Sequence, residues 1–532
     1  MYMKSLKYII MSVTMLSALT SCSDYLEIYP ENSQPADKFW ATKADVDASL
    51  NAGYYYLREA VTPNLIPWGE LRAGCIYGGN GALQSFQLKP TSGTVVSWAP
   101  MYKIINQANL VLENARKAFE SDDTYKEEEL NSHYCEAYFL RALAYFYIVR
   151  NWRDAPLITE AYSTDEVSYT KAKSPSADII AQIKSDLQQA LTIGAAKEAF
   201  ATTWETKSRA TLWSIYALMA DVCLWNQEFD ECINYADKIL NSTSPYAPRL
   251  IKTPGHYAWF AMFNPGNSNE SIYEVQWSIS KYSNSVQQTN SLTAIFDPDA
   301  TKPSGYNFTY RYSPAMIQNF NNEFREQMDQ QNFAIEQSGR TMYGGYWVKD
   351  LNNYNAATDA YVWKYIGSTT ITARRTNKYY DVNFIIYRVA DVMLMKAEAL
   401  IMRQMGQAYA DNVAAIDLVN EIRTRSNIKK VTIDETTDFK TLLDYVLYER
   451  LMELAGEGKA WYDFLRIGRY KDPAGLINFK NEFLIENVIN YNKQANESWI
   501  RSVLNDENAW YLPVPSNEIN ADQLLEQNPY YL

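Results

Sequence analysis

Two stretches of this chain are patterned as paired helices, and that constrains the fold more than any other feature. From Thr211 to Leu240 apolar residues recur at helical spacing on both sides of a polar break at Asn226-Gln227. Small residues sit at Ala217, Ala220, Cys232 and Ala236, where two helices would cross closely. The segment from Tyr387 to Arg425 repeats the theme, with Ala397, Ala399, Ala414 and Ala415 around a polar break at Gln404 to Gln407. A single such hairpin cannot bury its apolar face, so hairpins of this kind stack on neighbours.

With Phe229 between its two helices, the first pair is similar to a tetratricopeptide-type hairpin. Two further helices follow from periodicity. Ile105, Ala108, Leu112 and Ala115 mark an amphipathic helix over 102–118, and the run from His133 to Val149 is apolar nearly all round, as in a helix buried on most sides. A polar turn from Arg150 to Pro156 ends it. The region 246–372 differs: Pro248, Pro254, Gly255, Pro265, Gly266, Pro298, Pro303, Gly305 and Gly339 interrupt any long element. The expected fold is mainly α, a scaffold of tetratricopeptide-like hairpins with a loop-rich insertion containing short strands. The expected divisions are a leader over 1–21, a helical region over 22–245, the aromatic-rich insertion over 246–372 and a second helical region over 373–532.

The leader carries Lys4 and Lys7, an apolar run from Tyr8 to Leu19 and small residues before Cys22, the three parts of an export signal. Leu19-Thr20-Ser21-Cys22 resembles a bacterial lipobox, which makes Cys22 the expected lipidation site. Each buried methylene contributes ~0.8 kcal/mol, and two or more acyl chains anchor stably where one does not. Removing Lys4 and Lys7 with the leader takes the net charge from -13 to -15, because residues 1–21 hold no acid. Such a surface disfavours nucleic acid as a partner. Cys75, Cys135, Cys223 and Cys232 form no CxxC pair and no metal-ligand spacing, and the last three lie in helical patterns, where a free cysteine acts as a small apolar residue. His133 and His256 are the only histidines that could serve as proton shuttles, and His133 falls in the buried helix, where a hydrogen-bonded structural role is expected. No metalloprotease helix, nucleophile elbow or phosphate loop is present.

Several blocks in one order resemble the SusD/RagB family of Bacteroidetes surface lipoproteins. After Cys22 come Asp24-Tyr25-Leu26-Glu27, Pro30, Phe39-Trp40 and a helix carrying Tyr54 to Leu57. Asn106 to Asn114 is similar to the family's asparagine-rich helix, and Glu136 to Ala142 leads into Trp152 and Asp154-Ala155-Pro156-Leu157, with Arg153 where the family has glycine. Tyr387 to Leu394, Ala397-Glu398-Ala399, Asn420 and Arg423 to Arg425 look like the family's C-terminal helices. Glu449-Arg450, Glu453-Leu454, Glu457-Gly458, Trp461 to Asp463, Arg466 and Gln527 to Tyr530 continue the pattern, with Ala460 where an arginine is common. The charged members of these blocks lie near helix ends, where they pair and cap.

The resemblance implies a non-catalytic outer-membrane lipoprotein that captures an oligo- or polysaccharide and passes it to a SusC-like TonB-dependent barrel, with the membrane reached only through the lipid. No cofactor is implied, and a structural calcium ion is left open. Three alternatives remain: a RagB-like binder of oligopeptides, a surface glycoside hydrolase, and a purely structural scaffold. The family also implies that a loop between early helices lines the ligand site, which here is the glycine-rich stretch from Arg72 to Phe86 with Tyr77 and Asn80.

Composition supplies further candidates. The 42 tyrosines and 14 tryptophans are many, and sugar rings stack on such side chains while Asn, Gln, Asp or Arg take the hydroxyls. Tyr306, Phe308, Tyr310 and Tyr312 alternate at period two, one face of a strand, although burial explains such a stripe equally simply. Tyr343, Tyr346 and Trp347 crowd Gly344-Gly345, and Tyr282 lies ahead of Asn284 and Gln287. The expected ligand contacts are therefore Arg72, Tyr77, Asn80, Phe86, Tyr282, Tyr306, Tyr346 and Trp347.

Overall fold

The long helices of the first half pack one on the next in chain order. The computed structural model describes residues 39–79, 81–162, 170–253, 261–263, 266–277, 291–299, 307–328, 340, 346–347, 361–367 and 382–532. Helix α1 (Lys43–Ala60) packs on α2 (Ala99–Ser121), α2 on α3 (Glu127–Trp152), and α3 on α4 (Ser176–Ile193). Most of α3 is buried, as its apolar circumference predicts, and it runs on through Arg150-Asn151-Trp152, which the sequence pattern assigns to the turn. His133 lies inside it, 4% exposed, bonded to the Tyr125 hydroxyl at 2.6 Å and 3.3 Å from Asp47.

The predicted hairpin is α5 (Leu212–Trp225) and α6 (Phe229–Leu240), broken at Asn226 to Glu228. Ala217, Ala220, Cys232 and Ala236 are all fully buried at the crossing. Beyond α7 (Pro314–Met328), the second hairpin is α8 (Val389–Met402) and α9 (Tyr409–Arg425), which are followed by α10 (Phe439–Glu453) and α11 (Ala460–Gly468). Helix α8 packs against α6 as well as α9 and α10, so the two helical blocks join into one scaffold. The Cys232 thiol, which points at the Met395 carbonyl from 3.8 Å, marks that joint. Cys75, Cys135, Cys223 and Cys232 are all buried and free.

Short strands fill the gap between the blocks. Strand β2 (Ser271–Val275) pairs antiparallel with β6 (Phe384–Arg388), both fully buried. Tyr387-Arg388, which the periodicity joins to the following helix, is thus the end of a strand: Arg388 caps α8 in extended conformation (φ -145°, ψ 166°).

Arg388 is fixed there by charge. Its guanidinium reaches Glu270 at 2.9 Å, Glu453 at 2.6 Å and Glu457 at 2.9 Å. Glu453 also takes Arg425 and, at 2.9 Å, Arg340. Arg340 continues to Glu449 and Glu323, Arg423 to Glu449, and Lys364 to Glu457. Five buried acids thus face five buried bases, leaving no excess charge to desolvate. Burial alone would raise the Glu453 carboxyl, but Arg425, Arg388 and Arg340 hold it well below the usual carboxylate range. A second cluster joins Asp391 to Arg450 and Lys459, and Arg466 to Asp463 and Glu398. Lys459, next to Ala460, supplies a cation in the block where the family more often has arginine.

Removing one partner of such a network strands the others without compensation. Arg388→Met is expected to lower unfolding free energy by about 3–5 kcal/mol in a urea titration; a loss under about 1 kcal/mol would contradict the central place given to it.

Candidate ligand-binding face

The aromatic segments singled out in the sequence come from three distant parts of the chain, and one small sheet gathers them. Strand β1 (Ile76–Tyr77) pairs with β3 (Arg311–Tyr312), β3 with β5 (Tyr361–Val362), and β5 with β4 (Tyr346–Trp347), all antiparallel. Residues directly opposite in such a ladder share a face. Tyr77 stands across from Arg311, Arg311 from Tyr361, and Tyr361 from Trp347. On the other face Ile76, Tyr312 and Val362 are fully buried. Arg311 and Tyr361 are half-buried, so their side of the sheet meets solvent.

At the β1 end this row is covered. The Tyr77 hydroxyl accepts the Lys493 N–H at 2.9 Å and lies 3.4 Å from the Tyr491 carbonyl, so the ring is an interior strut. Arg72 and Phe86 are corrected likewise. Arg72 is 2% exposed, donates to the Trp510 carbonyl at 2.7 Å and to Asn151 at 3.1 Å, and lies 4.2 Å over the Trp461 ring. Burial lowers its guanidinium to about 10. Phe86 is 7% exposed and packs 6.0 Å from Trp461. Such burial leaves neither side chain available to a ligand. Nor is 72–86 one loop: it holds β1 and a short helical turn at Gly81–Gln84. Gly79 permits this at φ 77°, because a Cβ there would strike the Tyr310 ring.

Within the 306–312 stripe, Tyr310 and Tyr312 are 1% and 0% exposed and Phe308 is half-buried. Asn80, Tyr282, Tyr306 and Tyr343 lie outside the described residues, as does Cys22. Tyr346 and Trp347 are placed by register alone, in β4 beside β5. Tyr361 and Arg311, the half-exposed pair at the centre of the row, were not singled out in the sequence. Tyr361 leads the period-two run Tyr361, Trp363 and Tyr365, of which the last two are buried, and strand register singles it out.

The segment before β1 carries a buried acid. Glu70, 0% exposed, accepts the Gly458 N–H at 2.7 Å and the Lys459 N–H at 3.3 Å through one oxygen, while its second oxygen has no partner. Gly69 lets the two backbones meet, since a Cβ would overlap the Gly458 carbonyl. Burial raises the Glu70 carboxyl to about 8 against those backbone bonds, so it is protonated at neutral pH.

A separate cleft of 500 Å³ opens between α1, α2, the 156–162 segment and the C-terminal turn. Tyr56, Tyr102 and Tyr162 line it with Lys103, Gln107 and Glu518. Its asparagines are committed to the protein: Asn106 exchanges two hydrogen bonds with the Tyr162 backbone, and Asn109 donates to the Ile158 and Glu160 carbonyls. Among the described residues, no cluster of His, Cys, Asp or Glu is placed to hold a metal ion, and no helix is long and apolar enough to cross a membrane.

A helical-hairpin scaffold bearing a small, half-exposed aromatic sheet defines the class of molecule. The profile of the SusD family matches residues 269–531, and one described as starch-binding and associating with the outer membrane matches residues 80–224. A SusD-like protein of Formosa agariphila is 27% identical over 502 residues, covering 87% of this chain and 91% of that one. A SusD superfamily structure from Bacteroides thetaiotaomicron superposes with a TM-score of 0.69 at 21% identity, covering 93% of this chain and 99% of the other. A laminarin-binding SusD-like protein superposes at 0.64 and 21% identity, covering 92% and 100%. This chain belongs to the SusD family.

Glu70 gives a signed pH prediction. Its raised carboxyl binds a proton in the fold that the unfolded chain releases above about 4.5, so its contribution falls as pH rises from about 4.5 to about 8 and is level beyond. Glu70→Gln is expected to remove a slope of up to about 1.4 kcal/mol per pH unit across that window, seen as a larger gain in melting temperature at pH 8 than at pH 5. An equal effect at both would contradict the assignment.

Proposed function

We propose that this chain is a non-catalytic surface lipoprotein that captures an oligo- or polysaccharide and delivers it to a SusC-like TonB-dependent barrel. Membership of the SusD family carries this reading, with the laminarin-binding neighbour as support for a glycan ligand. Lipid attachment at Cys22 would leave the folded chain outside the bilayer on a polar tether, consistent with the absence of a spanning helix among the described residues. A structural scaffold needs no solvent-facing ring, whereas half-buried Tyr361 offers an apolar platform for a sugar face, beside Arg311. The five acids of the central network are committed to ion pairs with arginines and a lysine, which supports a structural role for those carboxylates over hydrolysis.

We place the glycan on the sheet rather than in the cleft, because the cleft's asparagines already serve the backbone. Tyr361→Ala is expected to weaken glycan binding by ~2 kcal/mol, the loss typical of one anchor ring, while Tyr56→Ala in the cleft leaves it unchanged. The reverse result would move the ligand to the cleft. Delivery is tested by purifying the tagged protein from its native membrane: a stoichiometric barrel protein is expected, and its absence would count against a transport role.

A further inference from the structure

Arg153 is held in a conformation that costs an arginine strain. Its φ is 65° and its ψ -73°, and the Asp154 N–H bonds the Trp152 carbonyl at 2.9 Å, a three-residue turn that glycine would make freely. Such strain persists where surrounding contacts over-determine it, and it clusters at binding sites. Here the contacts are Asp154 at 3.0 Å and Asn508 at 3.3 Å, with the guanidinium 5.5 Å from the Tyr511 ring.

The side chain borders a cavity of 270 Å³ that Arg469 also lines. Arg469 lies 4.3 Å over the Trp225 ring, and its Nη1 is buried without a hydrogen-bond partner. Among the described residues no carboxylate forms an ion pair with it. Ser176 and Ala177, the first residues of the 18-residue helix α4, form another part of the wall and add the positive end of a helix dipole. The Ser176 N–H is already taken by Asp154 at 2.9 Å. Glu507 is the one acid on the lining; it is half-exposed and lies 3.9 Å from Lys471.

We propose that this cavity is an anion subsite that takes a single carboxylate or sulfate group carried by the captured saccharide, an inference that rests on the glycan-binding reading. An oxyanion in the cavity balances two guanidiniums of which only Arg153 has an acid partner. The net charge of -15 expected after loss of the leader repels an extended polyanion, so the site suits one acidic sugar rather than a densely charged polymer.

Calorimetry on the purified protein tests this with three probes: sodium sulfate, an oligosaccharide ending in a uronate or sulfated sugar, and its neutral counterpart. The acidic oligosaccharide is expected to bind at least tenfold more tightly than the neutral one, with an advantage that shrinks in added salt. Arg153→Gly and Arg469→Gln should each abolish that advantage and leave the neutral ligand's affinity unchanged. Arg153→Gly should also match or exceed the wild-type melting temperature, which separates lost binding from lost folding. Equal affinity for acidic and neutral ligands, or an acid preference that survives both substitutions, overturns the proposal. Sulfate binding without any preference among saccharides overturns the saccharide source. If no saccharide of any kind binds, the glycan-capture reading itself fails, and sulfate binding abolished by both variants still identifies an anion site.

Discussion

Glu453 holds the centre of this structure. One carboxylate contacts arginines from β6, from α9 and from the segment at residue 340, and the carbonyl of the same residue accepts from Arg388 and Lys364. These groups lie far apart in the chain, and packing alone tolerates small slips that ion pairs of this geometry do not. Replacing a buried ion network by apolar side chains often leaves stability unchanged or improved, so its contribution is better read as specification than as net free energy. It sets where β6 ends and α8 begins, and it fixes the region at Arg340 and Lys364 against α10.

That fixation matters for the binding face. Val362 and Tyr361 directly precede the Trp363–Ile366 turn, which contains Lys364, so the network holds β5 from behind while Tyr361 faces outward. Strand β1 is held differently, through Arg72, Tyr77 and Asn492, by contacts to the C-terminal 150 residues. The sheet is therefore a meeting point of both ends of the chain. Its strands contribute only two residues each, which makes it dependent on the scaffold for its shape.

The helical hairpins were legible in the sequence because period, polar breaks and small crossing residues all agree on one answer. Asn226-Gln227 and Ala217, Ala220, Cys232 and Ala236 occupy the places their pattern implies. Arg388 was misread as helical because a buried run of Ile, Tyr and Val has no distinguishing period, and its ion partners lie 65 to 118 residues away. Arg72, Tyr77 and Phe86 looked like binding residues because composition cannot reveal burial. Their covers, Trp461, Trp510 and Lys493, lie near the other end of the chain. Tyr361 was missed although Tyr361, Trp363 and Tyr365 alternate at period two, because its place in the row comes from strand register with segments far away in the chain. The strain at Arg153 was marked only through the family resemblance, which has glycine at that place.

A helical scaffold, a charge network that sets its register and the half-buried pair Tyr361 and Arg311 support one claim, that the molecule binds a glycan without altering it. Affinity electrophoresis of the protein against a panel of polysaccharides, with product analysis of the same mixtures, tests that claim most directly. Saturable retardation by at least one polysaccharide with no released fragments is the predicted result. Binding to peptides alone, or release of reducing ends abolished by a single carboxylate substitution, would contradict it.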